Sequence, residues 1–328
     1  MTMQIGDKIH SDEACNICAG HELEIIATEG RHGQKLTTGI CTGCGLVHSC
    51  PIPSKEELDE YYSQHYRNDY KGVFTPQRKH ILRYSRAALE RLSRLGQFAP
   101  KGLRMLDVGS GSGEFVYLAS RAGYKAEGLE PHTGYSDYTR TTFGVPITTA
   151  VLEQAEIGAE TIDVITLHHV LEHLQTPLTS LAFLNRWLKP GGLIMVDVPD
   201  IETTHHSPTN RYHYAHIYNF NHDTLKAMLS KAGFEVIDHP DYRGTVLCAR
   251  KVGAPDPAKN IAMPGNYQRL KTLLAKEHAA VAYKRKKPLS RLLRKCWRYP
   301  SEMLLAALLG HPRRIADYVF RRYERAAG

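Results

Sequence analysis

Leu103-Arg-Met-Leu-Asp-Val-Gly-Ser-Gly-Ser-Gly113 is the stretch on which the fold turns. Leu103 to Val108 is apolar except for Arg104 and Asp107, which is the composition of a buried strand. Gly109, Gly111 and Gly113 follow at alternate positions, and Phe115, Val116, Leu118 and Ala119 then give an amphipathic run. Strand, glycine turn and helix in that order describe a nucleotide-binding βαβ unit. Glycine lets the backbone approach a ligand where a Cβ would collide.

The next unit sharpens the reading. Tyr124 to Leu129 is a second strand that ends in Glu130, placed to accept hydrogen bonds from both hydroxyls of a ribose. The glycine spacing is G-x-G-x-G preceded by Asp107, not the G-x-G-x-x-G that cradles a dinucleotide pyrophosphate. On these motifs the segment from about Arg104 to Arg250 resembles the class I S-adenosylmethionine-dependent methyltransferases. The resemblance implies a doubly wound, Rossmann-like α/β fold with a seven-stranded mixed sheet. It assigns S-adenosylmethionine to Asp107, Gly109, Gly111, Gly113 and Glu130, and lays Val151 and Leu152 along the adenine.

Downstream the motifs keep the family's order. Ile162 to Leu167 is a fourth strand, followed by His168-His169-Val-Leu-Glu172-His173-Leu174. The carboxyl end of such a strand borders the ligand crevice, so His168 and His169 are expected at the methionine moiety or the acceptor. His173 is read as structural, on a helix beyond. Pro177 to Trp187 is a helix, and Lys189-Pro-Gly-Gly192 is a turn into a strand over Leu193 to Val198. Asp200 to Ile217 is a long loop with His205, His206, Asn210, Arg211, Tyr212, His213, Tyr214 and His216. Long loops at strand ends serve sites. Similar sugar C-methyltransferases carry Tyr-His-x-His here. His216 matches the last histidine, but His213 stands where the tyrosine belongs, which puts C-methylation in doubt. An imidazole of ordinary pKa is a suitable general base for a hydroxyl acceptor, and His216, then His169, are the candidates. Asn221 caps a helix over Thr224 to Lys231, and Phe234 to Ile237 pairs with a strand within Arg243 to Arg250.

At the amino end, Cys15-x-x-Cys18 and Cys41-x-x-Cys44 enclose 22 residues. Two such knuckles make a four-thiolate zinc site, structural because it leaves no open position. Leu23 to Ile40 between them forms a hairpin, and His48 and Cys50 are alternative ligands. Pro51 and Pro53 end the ribbon, and Ser54 with Glu57 forms a capping box. Tyr61, Tyr62, His65 and Tyr66 pack the ribbon or line an acceptor pocket. Ribbons of this kind resemble those of methyltransferases in bacterial sugar and surface-glycan pathways. The resemblance implies a role in polysaccharide biosynthesis, on a nucleotide-linked sugar or a lipid-linked glycan. Residues 76–98 form an amphipathic helix with Ile81, Leu82, Leu89, Leu92 and Leu95 on one side.

The chain has 328 residues, 42% hydrophobic and 23% charged, as in globular proteins. Its seven cysteines are an odd number, two C-x-x-C pairs among them, and no secretory leader or membrane span is visible, so a cytoplasmic location is expected. Net charge is +8, yet residues 281–328 hold 13 Lys or Arg against 3 Asp or Glu, so the remainder carries about −2. Leu289, Leu292, Leu293 and Trp297 among arginines and lysines, followed by Met303, Leu304, Leu305, Leu308 and Leu309, fit an anionic membrane surface. A basic helix docked on the protein itself is the other reading. The expected divisions are 1–53 (zinc ribbon), 54–100 (helical linker), 101–252 (cofactor-binding domain) and 253–328 (basic helical extension). Base-directed amino-methyltransferases carry Asn- or Asp-Pro-Pro-aromatic after the fourth strand. Leu167-His168-His169-Val170 there points away from nucleic acid. RNA methylation, or a scaffold that keeps the fold without catalysis, are the alternatives.

Overall fold

The computed structural model describes residues 3–58, 60–61, 76, 78–203, 211–239, 241–283 and 302–327. In chain order, β1 (Lys8–His10), β2 (Glu22–Glu29), β3 (Lys35–Cys41) and β4 (Val47–Ser49) precede the long helix α1 (Arg78–Leu95). Then come β5 (Arg104–Val108), α2 (Glu114–Arg121), β6 (Lys125–Glu130), α3 (Thr133–Phe143), β7 (Ile147–Thr149) and β8 (Ile162–His168). α4 (Pro177–Trp187), β9 (Leu188–Asp197), β10 (Tyr218–Asn219), α5 (His222–Lys231), β11 (Phe234–Val236) and β12 (Val246–Lys251) follow. α6 (Pro264–Tyr283) and α7 (Pro312–Ala327) complete the order.

Seven strands are hydrogen-bonded in the order β11-β12-β9-β8-β5-β6-β7. β5 runs parallel to both β6 and β8, and β11 is antiparallel to β12, so the sheet is mixed as expected. Met105, Leu106 and Val108 on β5 and Val164, Ile165 and Leu167 on β8 are all buried, the near-continuous apolar reading of a parallel strand covered on both faces. The strand after Lys189-Pro-Gly-Gly192 starts earlier than the sequence indicates. Leu188 to Gly192 already belongs to β9, although Lys189, Pro190 and Gly191 are exposed.

The described residues fall into two compact units. One lies within Met1–Lys71, His168–Arg186 and Val196–Arg285, the other within Gly72–Leu167, Trp187–Met195 and Lys286–Gly328. This differs from the linear division expected from sequence. The amino-terminal ribbon and most of the chain beyond residue 196 form one unit, and the last helix belongs to the other.

In the first unit a second sheet has the order β1-β2-β3-β4-β10. β2 and β3 are the hairpin expected between the cysteine pairs. β10, absent from the sequence reading, pairs Tyr218 with His48 and so ties the end of the histidine loop to the ribbon. Two residues are too few for a period-2 pattern to show. Helix α6 lays Tyr267, Leu270 and Leu274 against Ile26, Leu36, Ile40 and Val47. Lys271 Nζ reaches Glu24 Oε2 at 2.7 Å, and Tyr267 donates to the same carboxylate. The ribbon therefore shares a hydrophobic core with α6 and does not rest on its cysteines alone. The Ser54–Glu57 capping box is present, with Ser54 N donating to Glu57 Oε2 at 2.7 Å.

In the second unit α1 buries Ile81, Leu82, Leu89, Leu92 and Leu95, the stripe read from the sequence. α7 packs on α1 and α2 through Ile315, Ala316, Val319 and Phe320. Tyr117 donates to Asp317 at 2.7 Å, and Arg121 pairs with the same carboxylate. Arg83 and Arg86 both hold the buried Glu302, at 3.0 and 2.8 Å. This end of the basic extension is thus docked by specific pairs. Met303, Leu304 and Leu308 on the helical residues 302–309 are exposed. The basic run from 284 to 300, with Leu289, Leu292, Leu293 and Trp297, lies outside the described residues, as do Tyr62, His65, Tyr66, His205, His206 and Asn210. Among the described residues no helix is long and apolar enough to cross a membrane.

Candidate functional site

The glycine turn belongs to the second unit. Gly109, Gly111 and Gly113 have φ of +69°, +52° and +81°, the left-handed region that only glycine enters without penalty. Their side-chain positions differ. A Cβ on Gly113 would lie 2.3 Å from Thr139 Cγ2, so that glycine permits α2 to pack against α3. A Cβ on Gly111 would meet nothing within 4 Å. Gly113 is thus needed for packing, and Gly111 borders open space of the kind a bound ligand fills.

Glu130 closes the turn. Its Oε2 accepts from Gly111 N at 2.8 Å and its Oε1 from His132 N at 2.9 Å. Burial pushes this carboxyl up, against the pull of the two backbone donors. An ionised carboxylate has about four acceptor sites, so two remain for ribose hydroxyls. Residues and turn therefore fit the cofactor that the resemblance implies. Asp107 lies inside β5 and accepts from Thr166 Oγ1 at 2.7 Å; burial pushes its carboxyl up to about 7. It ties β5 to β8 beneath the turn. Leu152 is buried and Val151 exposed, just after β7.

Two acidic groups here have no signature in the sequence. Glu114 opens α2 as a fully buried carboxyl, pushed up to about 7 by burial. Ser112 Oγ donates to its Oε2 at 2.6 Å, and its Oε1 accepts no hydrogen bond. Asp163, by contrast, is held below the ordinary range; burial opposes this, but Lys189 and the Arg104 backbone prevail.

The first unit carries the histidines. His168 ends β8, with Nδ1 4.0 Å from Asp197 Oδ2. His169 has φ +57° and donates its backbone N–H to Asp197 O at 2.8 Å. A non-glycine residue held in that region marks local strain that the surroundings must support. His169 Nδ1 lies 3.4 Å from Glu172 Oε1, and His173 Nε2 lies 3.8 Å from the same oxygen. Glu172 is 1% exposed, and among the described residues neither of its carboxylate oxygens has a hydrogen-bond donor. His173 closes a single turn of 3-10 helix, Leu171–His173, and its ring meets that of His216 edge-on at 4.8 Å. The loop thus brings it into the histidine cluster. His213 stands 5.1 Å from His216, ring to ring, with Tyr61 Oη 3.5 Å from its Nε2. Burial pulls His216 down to about 2 and also lowers His173. His216 is therefore neutral and weakly basic, whereas the side chain of His169 is half exposed. Glu172 has no signature in the sequence because its role depends on His216, 44 positions away.

The four cysteines close around one point. Cys15 Sγ and Cys44 Sγ are 3.5 Å apart, Cys18 Sγ and Cys41 Sγ 3.4 Å, and all four sulfurs lie within 4.8 Å of one another. Zinc–sulfur bonds of about 2.3 Å place tetrahedral ligands about 3.8 Å apart, so the donor set fits that ion. Hydrogen bonding among the sulfurs, with burial behind it, drives the Cys15 and Cys44 thiols up. Four buried thiolates need a cation to coexist. His48 is buried and bonds Ser49 O, apart from the sulfurs. The knuckles are braced from outside: Asn266 Nδ2 donates to Cys44 O at 2.9 Å, and Met263 N to Gly43 O at 2.8 Å. Gly45, at φ +80°, passes so close to Asn266 that a Cβ would lie 2.8 Å from its Nδ2.

Residues 78–239 match the family model described as a methyltransferase domain. A curated ubiquinone biosynthesis O-methyltransferase of Actinobacillus pleuropneumoniae is 34% identical over 107 residues, 28% of this chain and 44% of the relative. The chain thus matches less than half the length of that protein. Among solved structures, it is similar to an S-adenosylmethionine-dependent methyltransferase of Aquifex aeolicus, with 19% identity, TM-score 0.43, and coverage of 54% of this chain and 100% of the other. It is also similar to the 1,6-didemethyltoxoflavin-N1-methyltransferase of Burkholderia thailandensis, with 16% identity, TM-score 0.46, and coverage of 69% and 100%.

Proposed function

We propose, for a chain whose residues 78–239 carry a methyltransferase domain, that it moves a methyl group from S-adenosylmethionine to a sugar hydroxyl, on a nucleotide-linked sugar or a lipid-linked surface glycan. The observation that carries the cofactor half is the pairing of Glu130 with Gly111: a buried carboxylate with acceptor capacity to spare, beside a left-handed glycine facing open space. When bound, the cofactor supplies a methyl on a positively charged sulfur, already activated for in-line displacement. The chain's task is to hold acceptor and methyl within about 3–3.5 Å and to take the acceptor's proton.

For the proton, His169 is the better placed of the two candidates. Glu172 Oε1 lies 3.4 Å from its Nδ1, outside a formed hydrogen bond but in place for a base-and-orienter pair that leaves Nε2 for an acceptor hydroxyl. The name of the curated relative, an O-methyltransferase, supports oxygen as the acceptor atom. The ribbon and the histidine loop support a sugar, by their likeness to glycan-pathway enzymes. Zinc is the ion we assign to Cys15, Cys18, Cys41 and Cys44, with a structural role. A quinone-precursor hydroxyl is the second reading, favoured by the pathway in that relative's name.

Calorimetric titration of S-adenosylmethionine and S-adenosylhomocysteine tests the cofactor. Wild type is expected to bind in the micromolar range, and Glu130→Ala to weaken binding about ten- to hundredfold, the worth of hydrogen bonds to a charged group. Absence of binding to folded, zinc-loaded protein removes the enzyme reading. Methyl transfer from labelled cofactor to nucleotide sugars, glycan lipids and quinone precursors then separates the acceptors.

A further inference from the structure

Glu172 poses a problem that the base-and-orienter role does not solve. Its carboxylate is 1% exposed, and among the described residues neither oxygen has a hydrogen-bond donor. A charge buried in that way costs several kcal/mol unless a counter-charge or donors meet it. Among the described residues its ion-pair partners are His169 and His173, with no lysine or arginine. A neutral imidazole offers at most one N–H and no counter-charge, and protonating both rings would set two cations against each other in a knot of four histidines.

A single cation resolves this. One ligand atom each from Glu172, His173 and His216 lie within 4.8 Å of one another, all three on the same unit. Donors at about 2.1 Å from a common ion are about 3.0–3.4 Å apart, so closure by rotation of side chains suffices. The arrangement also has an outer layer. His173 hydrogen-bonds to the Ala215 backbone, while its Nε2 faces Glu172. His216 N donates to His213 O at 2.9 Å, fixing the turn that presents its ring. Metal-bound histidines are commonly oriented by such partners. Glu172 and His173 are adjacent, and His216 is 43 positions away, held close by the loop that ends at β10.

We propose that Glu172, His173 and His216 form a second metal site, for a divalent first-row cation held by two imidazoles and one carboxylate. Two nitrogens and an oxygen suit iron, cobalt or zinc with positions left open. This distinguishes it from the sulfur site, whose four thiolates fill the coordination sphere. Open positions let the cation take an acceptor oxygen and make its hydroxyl more acidic. That use rests on the methyltransferase reading, whereas binding of the metal does not.

The test uses full-length protein with its sulfur site loaded with zinc. Thiolate sites hold zinc over cobalt, so added Co2+ reports the second site. Equilibrium dialysis is expected to give one cobalt per chain beyond the zinc. Its visible spectrum should lack thiolate-to-cobalt charge transfer, and imidazole proton resonances should be paramagnetically shifted. Glu172→Gln and His216→Asn should each weaken Co2+ binding at least tenfold and leave zinc content unchanged. No cobalt beyond the zinc, equal binding by both variants, or a thiolate signature overturns the site. If the variants fail to fold, wild type decides, since cobalt bound without shifted imidazole resonances also overturns it. Calorimetry with S-adenosylmethionine on the same samples keeps the two readings apart, because either ligand can bind while the other does not.

Discussion

The glycine turn and the histidine cluster are built in opposite ways. In the turn, the strand, the glycines and the ribose acceptor fall in one run from Leu103 to Glu130, and the backbone does most of the work. In the cluster, Tyr61, His169, Glu172, His173, His213 and His216 come from three separated segments, and side chains do the work. A site made of backbone announces itself, since left-handed turns select glycine. A site made of side chains is assembled by whatever folds the loops. Here that is partly β10, two residues long, pairing Tyr218 with His48.

The contrast breaks most visibly at the cysteines, which join local motif and long-range assembly. Cys41→Ser removes one of four sulfurs that approach within 4.8 Å. Structural zinc in small peptides is worth on the order of 10 kcal/mol. Metal analysis should show zinc falling from one per chain to near none, and limited proteolysis should cut first within the ribbon. The core shared with α6 should leave residual protection around Leu36 and Leu270. Retention of zinc and of wild-type protease resistance would mean that the cysteines are ordinary core residues.

Next in size are two glycines from one turn. Gly113→Ala forces a Cβ to 2.3 Å from Thr139 at φ +81°. A loss of about 3 kcal/mol is expected from clash and backbone strain together, read by urea denaturation. Gly111→Ala meets no atom within 4 Å and should cost only about 1 kcal/mol. Its larger effect should be on S-adenosylmethionine affinity, because the new methyl occupies the open space. Equal losses of stability in the two variants would erase the distinction between a packing glycine and a ligand-facing one.

What the sequence made legible follows the same line. β5, β6 and β8 are legible to within two residues because the buried positions of parallel strands are mostly apolar, and α1 because its leucines recur at helical spacing. The Asn221 cap was legible from its residue type, and its side chain accepts from Thr224 N at 2.9 Å. Glu172 was not legible, since a glutamate beside a histidine is ordinary until the loop brings His216 against it. Nor was the docking of α7, which depends on Asp317 meeting Tyr117 and Arg121 almost 200 positions away. The charge count marked that end as basic and offered no means of locating the few acids that anchor it.

A further effect, confined to one pH range, concerns acids that the turn buries. Glu114 and Asp107 are both pushed up to about 7 by burial. A carboxyl raised in the folded state binds its proton more tightly than the unfolded chain does. Its stabilising contribution is full below the unfolded value, near 4, and is lost as pH rises through about 7. Through these two groups, wild type without cofactor should therefore be less stable at pH 8 than at pH 4. Glu114→Gln keeps an acceptor for Ser112 Oγ, which lies 2.6 Å from the native oxygen, and removes the titration. Its melting temperature should nearly equal that of wild type at pH 4 and exceed it at pH 8, by a margin worth at most about 3 kcal/mol. The difference should open between pH 4.5 and 7, and Asp107 should leave part of the slope in place. A gap of the same size at both ends of that range would mean that Glu114 ionises as an exposed glutamate does, and that the turn is wetter than its burial indicates.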